Sequence, residues 1–510
     1  MLDQPPAWVA DAIFYQVFPD RFARSGRVDA PGPLEPWDAP PTVHGFKGGD
    51  LFGVAERIDH LVALGVNAIY LNPVFASASN HRYHTYDYLA VDPLLGGEAA
   101  LRELLDTAHA NRIRVILDGV FNHASRGFWP FHHVLETGRH SPYREWFHLN
   151  QRQLEEELQL RAYPDPTLAG PVEAEWAAAH GAGTASLETL GYRAWWDLPA
   201  LPKLNTDNPA VREYLMGVAE HWIRFGVDGW RLDVPREITT PGFWEEFRTR
   251  VRAVNPEAYI VGEIWQLRGD LIDGTTFDGL MNYPLAAAIT SFVTGHHLSM
   301  EVVRQHGELE RHIRAEDAAT FLLRVTAAVS AYRPAFARSV LNLIGSHDTP
   351  RIRSLAGGDV GSVRLALLAM LTMPGAPCIY YGDEIGMIGE MDPGSRGAFP
   401  WNDADWDHEL FEFVCALTRV RSASPELRSA DWRGLAAEGM AAAYLRGDGS
   451  TGSVIVAINA GDEPSSLKVD WPHGPVQPVA LPGVMAESRR SGAILEIDLA
   501  QRNGALFAVA

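Results

Sequence analysis

Four short segments of this 510-residue chain place acids, amides and histidines at the ends of apolar, β-rich runs. They are Asp118-Gly-Val-Phe-Asn122-His123, Gly229-Trp-Arg231-Leu-Asp233, Gly262-Glu263 and Ser346-His347-Asp348. The runs that lead into them read RVILD, VDGW, AYIVGE and VLNLIG. If the strands close into a barrel, their ends share one face and these side chains meet in one cleft. Paired carboxylates in such a cleft suit the cleavage of a sugar acetal. Arg231 and Asp233 stand two apart on one strand and therefore face the same side. A guanidinium there favours an ionised Asp233, as a nucleophile requires. Glu263 is flanked by Val261, Ile264 and Trp265. Apolar surroundings raise a carboxyl pKa and would keep Glu263 protonated for donation to a leaving group.

The elements that must position these residues follow a βα rhythm, with short β-rich runs alternating with longer helical patterns. Strands are expected over 13–18, 66–71, 114–118, 227–233, 258–263, 277–282, 340–344 and 376–381. Residues 98–111 carry Leu101, Leu104, Leu105 and Ala108 on one helical face. Eight strands with intervening helices predict a (β/α)8 TIM barrel of the α/β class, built from residues 1–123 and 205–430. Residues 124–204 interrupt the rhythm after the third of these strands and read as an inserted domain, rich in Trp, His, Pro and Gly, with a charged helix over 151–161. From 431 to 510 short alternating runs predict a C-terminal antiparallel β-sandwich.

Bulk composition narrows the partners. The chain is 46% hydrophobic and 21% charged, values typical of globular proteins. Its 43 basic and 64 acidic residues give a net charge of −21, which argues against nucleic acid and anionic membrane as partners. Cys378 and Cys415, the two cysteines, read as buried thiols, with no disulfide framework and no cysteine metal site. The opening MLDQPPAWVADAIF lacks a basic segment followed by an apolar one, and no run is long enough to span a bilayer. A cytoplasmic location is the expectation. Oligomeric state is not legible.

DGVFNH, GWRLD, VGE and SHD, in this order, resemble the four diagnostic segments of the α-amylase superfamily, glycoside hydrolase family 13. The resemblance runs from about residue 13 to the end. It implies a catalytic barrel, a second domain after the third strand and a C-terminal sandwich. It also implies Asp233 as nucleophile, Glu263 as general acid/base and Asp348 as third carboxylate, acting through a covalent glycosyl-enzyme with net retention. Asp118 and His123 resemble the family's sugar-binding pair, with Arg231 beside them, and His347 would help Asp348 hold sugar hydroxyls. Tyr83, in SNHRYHTYDY, resembles the tyrosine that stacks under the sugar being cleaved, although His84 stands where the family often has Asp. Asp392 and Arg396 resemble the pair that grips the next sugar on the non-reducing side. Asn122 matches a position that often ligates calcium; the chemistry itself requires no cofactor. The plainer alternatives are a structural ion pair for Asp233 and Glu263, packing for Tyr83, hydrogen bonding for Asp118 and Asn122, and a surface ion pair for Asp392 and Arg396.

Leu201-Pro-Lys203-Leu-Asn205 is similar to the segment that marks the neopullulanase, cyclomaltodextrinase and maltogenic amylase branch. Glu237 matches a leaving-group-side position of that branch, whereas Val234-Pro235-Arg236 departs from its usual small and amide residues. Branch members typically dimerise through an extra N-terminal β domain. Here the first barrel strand is expected near residue 13, so that dimer is not expected. The loop DRFARSGRVDAP is poorer in acids and amides than the calcium loop of relatives. Trp129, Trp195 and Trp196 either line the cleft or fill the insertion's core, with core expected for at least one. The resemblance implies an α-glucan hydrolase acting on maltooligosaccharides, cyclodextrins, pullulan or starch, at α-1,4 bonds and by extension α-1,6 bonds. A 4-α-glucanotransferase or isomerising synthase on the same barrel is one alternative, and a non-catalytic carbohydrate-binding homologue another.

Overall fold

Runs of four to six apolar residues are too short for a packed helix and well suited to strands buried on both faces. The computed structural model, which describes residues 4–157, 159–163 and 186–510, forms strands at all eight expected places. They are β1 (Phe14–Val17), β2 (Ala68–Leu71), β5 (Arg114–Gly119), β6 (Gly229–Leu232), β7 (Tyr259–Gly262), β8 (Gly279–Leu280), β9 (Leu341–Asn342) and β10 (Ala376–Tyr380). Every pairing among them is parallel, in the order β8-β7-β6-β5-β2-β1-β10-β9. A parallel bridge between Met281 and Leu341 joins the two outermost strands and closes the barrel. Phe14, Tyr70, Ile116, Tyr259, Val261 and Leu341 fill its interior. Trp8 plugs the end where the strands begin, packing on Phe14 and Tyr259. The helix Gly97–Ala110 buries Leu101, Leu104, Leu105 and Ala108 as its spacing predicts.

Between β2 and β5 lies an antiparallel hairpin, β3 (Phe75–Ser77) and β4 (Thr85–Val91), that the sequence reading does not anticipate. In β4 the buried positions are Thr85, Tyr88 and Val91, a spacing of three, because the register slips twice along the pair. A pattern of period two is therefore absent. The segment joining these strands carries Tyr83. The helix expected over 151–161 is shorter, Gln151–Glu155, with Asn150 accepting from Gln153 N at its start. Residues 159–161 are not helical, and residue 158 lies outside the described residues. So do residues 164–185 of the expected insertion. The remainder of that segment is tied down by isolated antiparallel bridges, His123 with Lys203, Phe147 with Leu204 and Ala194 with Pro202.

After the barrel come β11 (Trp432–Glu438), β12 (Ala441–Arg446), β13 (Val454–Asn459), β14 (Ser465–Asp470), β15 (Val476–Pro478), β16 (Ala486–Ser491), β17 (Ile494–Leu499) and β18 (Asn503–Val509). They form a five-stranded sheet β11-β12-β13-β18-β15 and a three-stranded sheet β14-β17-β16 around Leu467, Trp471, Ile497 and Phe507. Cys378 and Cys415 are free and buried. Among the described residues no helix is long and apolar enough to cross a membrane.

Candidate active site

The parallel register of β5 and β6 sets Asp118 directly beside Arg231, so both side chains leave the same face of the barrel wall. Arg231 is fully buried. Its Nη1 donates to Asp118 Oδ1 at 2.9 Å and to Asp233 Oδ1 at 3.1 Å, and its Nη2 lies 2.9 Å from Glu263 Oε2. One planar guanidinium thus holds three carboxylates, a geometry that a lysine ammonium would not reproduce. Asp233 and Glu263 each sit one residue past their strand, where Asp233 N donates to Gly119 O and Glu263 N to Leu232 O. Val234 turns the chain with φ 34°, ψ 51°, a left-handed conformation rare for a β-branched residue. That turn aims Val234 N at Glu263 Oε2, 3.1 Å away. Trp265 Nε1 donates to Glu263 Oε1 at 3.1 Å. The expected apolar surroundings of Glu263 are therefore not found, because Trp265 and Val234 each offer an N–H and the Arg231 guanidinium stands in ion-pair contact. Asp233 Oδ2, by contrast, is buried with no hydrogen-bond partner among the described residues.

A hydrogen-bonded chain builds the next wall. Gln16 Nε2 donates to His347 Nδ1 at 2.9 Å, which leaves the proton on Nε2. His347 Nε2 lies 2.6 Å from Tyr83 Oη, and Tyr83 Oη donates to Asp118 Oδ2 at 2.7 Å. Tyr70 Oη reaches the same Asp118 oxygen at 2.7 Å. The Tyr83 ring lies flat on the His347 ring, centroids 5.2 Å apart and 5° between planes. Burial and the nearby Arg396 and Arg231 hold His347 well below its usual pKa, so the imidazole is neutral.

Crowding of acids sets the electrostatics. Burial pushes the Asp233 carboxyl well up; Arg231 opposes this, and Glu263, Asp118 and Asp348 add to it. The expectation that Arg231 keeps Asp233 ionised is corrected for the free cleft, since one cation is shared by three acids. Asp348 is pushed up to about 7 by burial first and by Glu263, against Arg396 and Arg231, with Asp392 raising it further. Protons in such a group belong to the cluster rather than to one residue.

The remaining expected residues fall into place around this core. Arg396 is buried rather than a surface partner: Nε donates to His347 O at 2.8 Å, Nη2 lies 3.4 Å from Asp348 Oδ1, and Nη1 pairs with Asp392 Oδ2 at 3.0 Å. His123 is buried and pushed down to about 3 by burial, His84 and Lys203. Its Nδ1 meets Asn122 Nδ2 at 3.2 Å, and its Nε2 has no partner among the described residues. Trp195 stacks on His123 at 4.9 Å and Trp196 stacks on Trp195 at 4.8 Å. Trp196 and Trp129 are exposed, so the core expected for these tryptophans holds at most for half-buried Trp195. Glu237 stands outside the Arg231 group and pairs with Lys203 Nζ at 3.2 Å. Arg236, beside it, bonds Gln266 across to the loop after β7. Asn122 Oδ1 is buried without a partner among the described residues. Its amide nitrogen contacts an imidazole, and one amide oxygen is far from the six to eight oxygens calcium takes. Among the described residues this donor set does not fit calcium.

Three contributors escape sequence reasoning: Gln16, Tyr70 and the indole N–H of Trp265. Gln16 left a signal, a lone amide inside the apolar strand FYQV. Tyr70 looks like any core aromatic until Asp118 is placed beside it.

Comparison with known proteins agrees with this geometry. The family model described as "Alpha amylase, catalytic domain" matches residues 16–444. A cyclomaltodextrinase of Bacillus sp is 40% identical over 460 residues, spanning 89% of this chain and 74% of that protein. The native structure of a debranching enzyme from Nostoc punctiforme is 43% identical with a TM-score of 0.85, covering 100% of both chains. The ligand-free cyclic alpha-maltosyl-(1-->6)-maltose hydrolase from Arthrobacter globiformis is 33% identical with a TM-score of 0.81, covering 99% of this chain and 100% of that one. With its closed barrel, its four acid-bearing strand ends and these matches, the chain belongs to the alpha-amylase family of glycoside hydrolases.

Proposed function

We propose that the protein is a retaining α-glucan hydrolase in which Asp233 is the nucleophile and Glu263 the general acid/base. The observation that carries this reading is the shared guanidinium: Arg231 draws Asp233 and Glu263 together while Asp233 Oδ2 stays free of hydrogen bonds. A close carboxylate pair suits double displacement. In the first step Glu263 gives its proton to the glycosidic oxygen as Asp233 Oδ2 attacks the anomeric carbon, so that the C–O bond to the leaving sugar breaks and a glycosyl ester forms. In the second, Glu263 takes a proton from water, the water oxygen bonds the anomeric carbon and the ester bond breaks. Asp348 and neutral His347 would accept and donate hydrogen bonds to hydroxyls of the same ring, with Tyr83 as its platform. His123 Nε2 and Asp118 would hold further hydroxyls, and Asp392 and Arg396 the next sugar on the non-reducing side. Glu237 with Lys203 would border the leaving-group side.

The substrate class rests on what the similar proteins are named for, cyclomaltodextrin cleavage, debranching and hydrolysis of a (1-->6)-linked maltose ring. Maltooligosaccharides, cyclodextrins, pullulan and starch are the proposed substrates, cleaved at α-1,4 and α-1,6 bonds. Two free thiols in a chain of this size fit a reducing cytoplasm. The test is a chromatographic product profile on maltotriose, γ-cyclodextrin, pullulan and soluble starch. Conversion to short sugars is expected. Products longer than the maltotriose supplied would replace the hydrolase reading with a transferase one.

A further inference from the structure

Far from the Arg231 cluster, the helix Tyr283–Thr294 ends at Gly295, whose φ 52°, ψ −126° turns the chain sharply. The turn Gly295–His297 then presents two adjacent histidines to the C-terminal sheets. Their rings lie 4.3 Å apart, 33° from parallel. Both reach one carboxylate, that of Asp462, which follows β13. His296 Nε2 is 2.7 Å from Asp462 Oδ2 and His297 Nε2 is 3.2 Å from Asp462 Oδ1. We propose that His296, His297 and Asp462 form a binding site for a borderline divalent transition cation of the zinc or nickel kind, clamping the barrel to the C-terminal sheets.

The argument is one of donor type and spacing. Two imidazole nitrogens and a carboxylate oxygen are the donors such cations choose, whereas calcium and magnesium choose all-oxygen sites. One donor atom from each residue lies within 4.8 Å of the other two. A tetrahedral zinc with bonds of about 2.0–2.2 Å needs donors roughly 3.3 Å apart. Rotations of a few side-chain bonds supply that, because all three residues are at least one-third exposed and free to adjust. Exposure also leaves room for water to complete the coordination. Without a cation, the two histidines offer two N–H donors to one acceptor residue, a contact that stays within a hydrogen-bonded clasp. A cation takes the place of those two protons at Nε2, each imidazole keeping its one proton at Nδ1 instead, and binds all three groups at once.

Arg502 brings an opposing charge, with Nε 3.9 Å from Asp462 Oδ1. Its Nη atoms are committed elsewhere, to Asp359 Oδ2, Val293 O and Ala460 O, so it braces the same seam instead of occupying the carboxylate. The site therefore bridges two parts of the chain that are 165 residues apart, and occupancy would act on unfolding rather than on the cleft.

The test uses the full chain, stripped with chelator and titrated with zinc by calorimetry, with calcium as the control cation. Saturable binding near one zinc per chain, a rise in Tm of several degrees with zinc and none with calcium are expected. The double variant His296→Ala/His297→Ala should lose both effects and keep its rate on maltotriose. Asp462→Asn, which keeps the side chain's shape, should weaken zinc binding at least tenfold and guards against a folding defect in the double variant. No saturable zinc binding would overturn the proposal. Equal binding and an equal Tm shift in the variants would mean an adventitious ion only, and would overturn it too.

Discussion

At Trp265 one side chain both holds and shields the proposed acid. Its indole N–H donates to Glu263 Oε1, while its ring lies between Tyr283, at a centroid distance of 3.7 Å, and His306, at 5.3 Å. Trp265→Phe keeps the stack and deletes the donor. It should lower kcat roughly 10- to 100-fold with little change in KM, the sign of an interaction that matters to proton transfer. An unchanged kcat in steady-state kinetics would mean the indole only packs. Asp392 gives a second test, through charge. It raises the Asp348 carboxyl, which stands at about 7. Asp392→Asn removes that contribution, so the ionisation should move to lower pH. The acidic limb of the kcat/KM profile against pH is expected to shift toward acid in the variant. A limb that stays in place or moves toward neutral pH would contradict the assignment.

The elements that position these residues differ in how far they could be read from sequence. The eight barrel strands were legible because a strand buried on both faces needs only a short apolar run, and none of these runs carries a competing pattern. The four site segments were legible because each sits at the end of such a run. The hairpin that carries Tyr83 was not, since its two register slips erase the alternation that marks a half-buried strand. The donors around Glu263 were not either: Val261, Ile264 and Trp265 look apolar in sequence, and only the turn at Val234 and the reach of Arg231 show what faces the carboxyl. Nor could sequence show Arg421, which is buried with no carboxylate paired to it among the described residues. Its Nη1 donates to Leu371 O at 2.7 Å and Leu427 O at 3.0 Å, and its Nη2 to Gly375 O at 2.5 Å. These carbonyls lie at the end of the helix Val360–Thr372 and in the segments beside it, where a cation also meets the negative end of the helix dipole. Arg421→Met would strand them, at a cost of about 3 kcal/mol. Urea unfolding measures it, and a change below about 0.5 kcal/mol, the level of an ordinary surface substitution, would contradict this bracing role.

For the whole molecule, buried acids tie stability to pH. Asp348 and Asp383 are both pushed up to about 7, each chiefly by burial. In the unfolded chain an aspartate titrates near about 3.9. Between those values the folded state holds protons that the unfolded state has released, so the contribution of these two acids to stability falls as pH rises from about 4 to about 7. Buried neutral His123 and His347 act in the opposite sense over part of that range, so the acid contribution is read as a difference between proteins: the urea midpoint of Asp348→Asn relative to the parent should be higher at pH 8 than at pH 5 at constant ionic strength. A difference between variant and parent that is equal at the two pH values, or that moves the other way, would contradict this. A cleft that crowds three carboxylates around one guanidinium, with Asp348 beside them, thus opposes folding at neutral pH, and the same crowding brings the two proposed reacting groups together.

The most direct test of that pairing is stereochemical. Hydrolysis of maltotriose, followed from its first seconds by proton NMR, should release the new reducing end as the α-anomer. A slowly turned-over fluoroglucosyl fluoride should leave its glycosyl group on the peptide that contains Asp233. Initial release of the β-anomer with no labelled peptide would show a single displacement by water, and would contradict the covalent role assigned to Asp233.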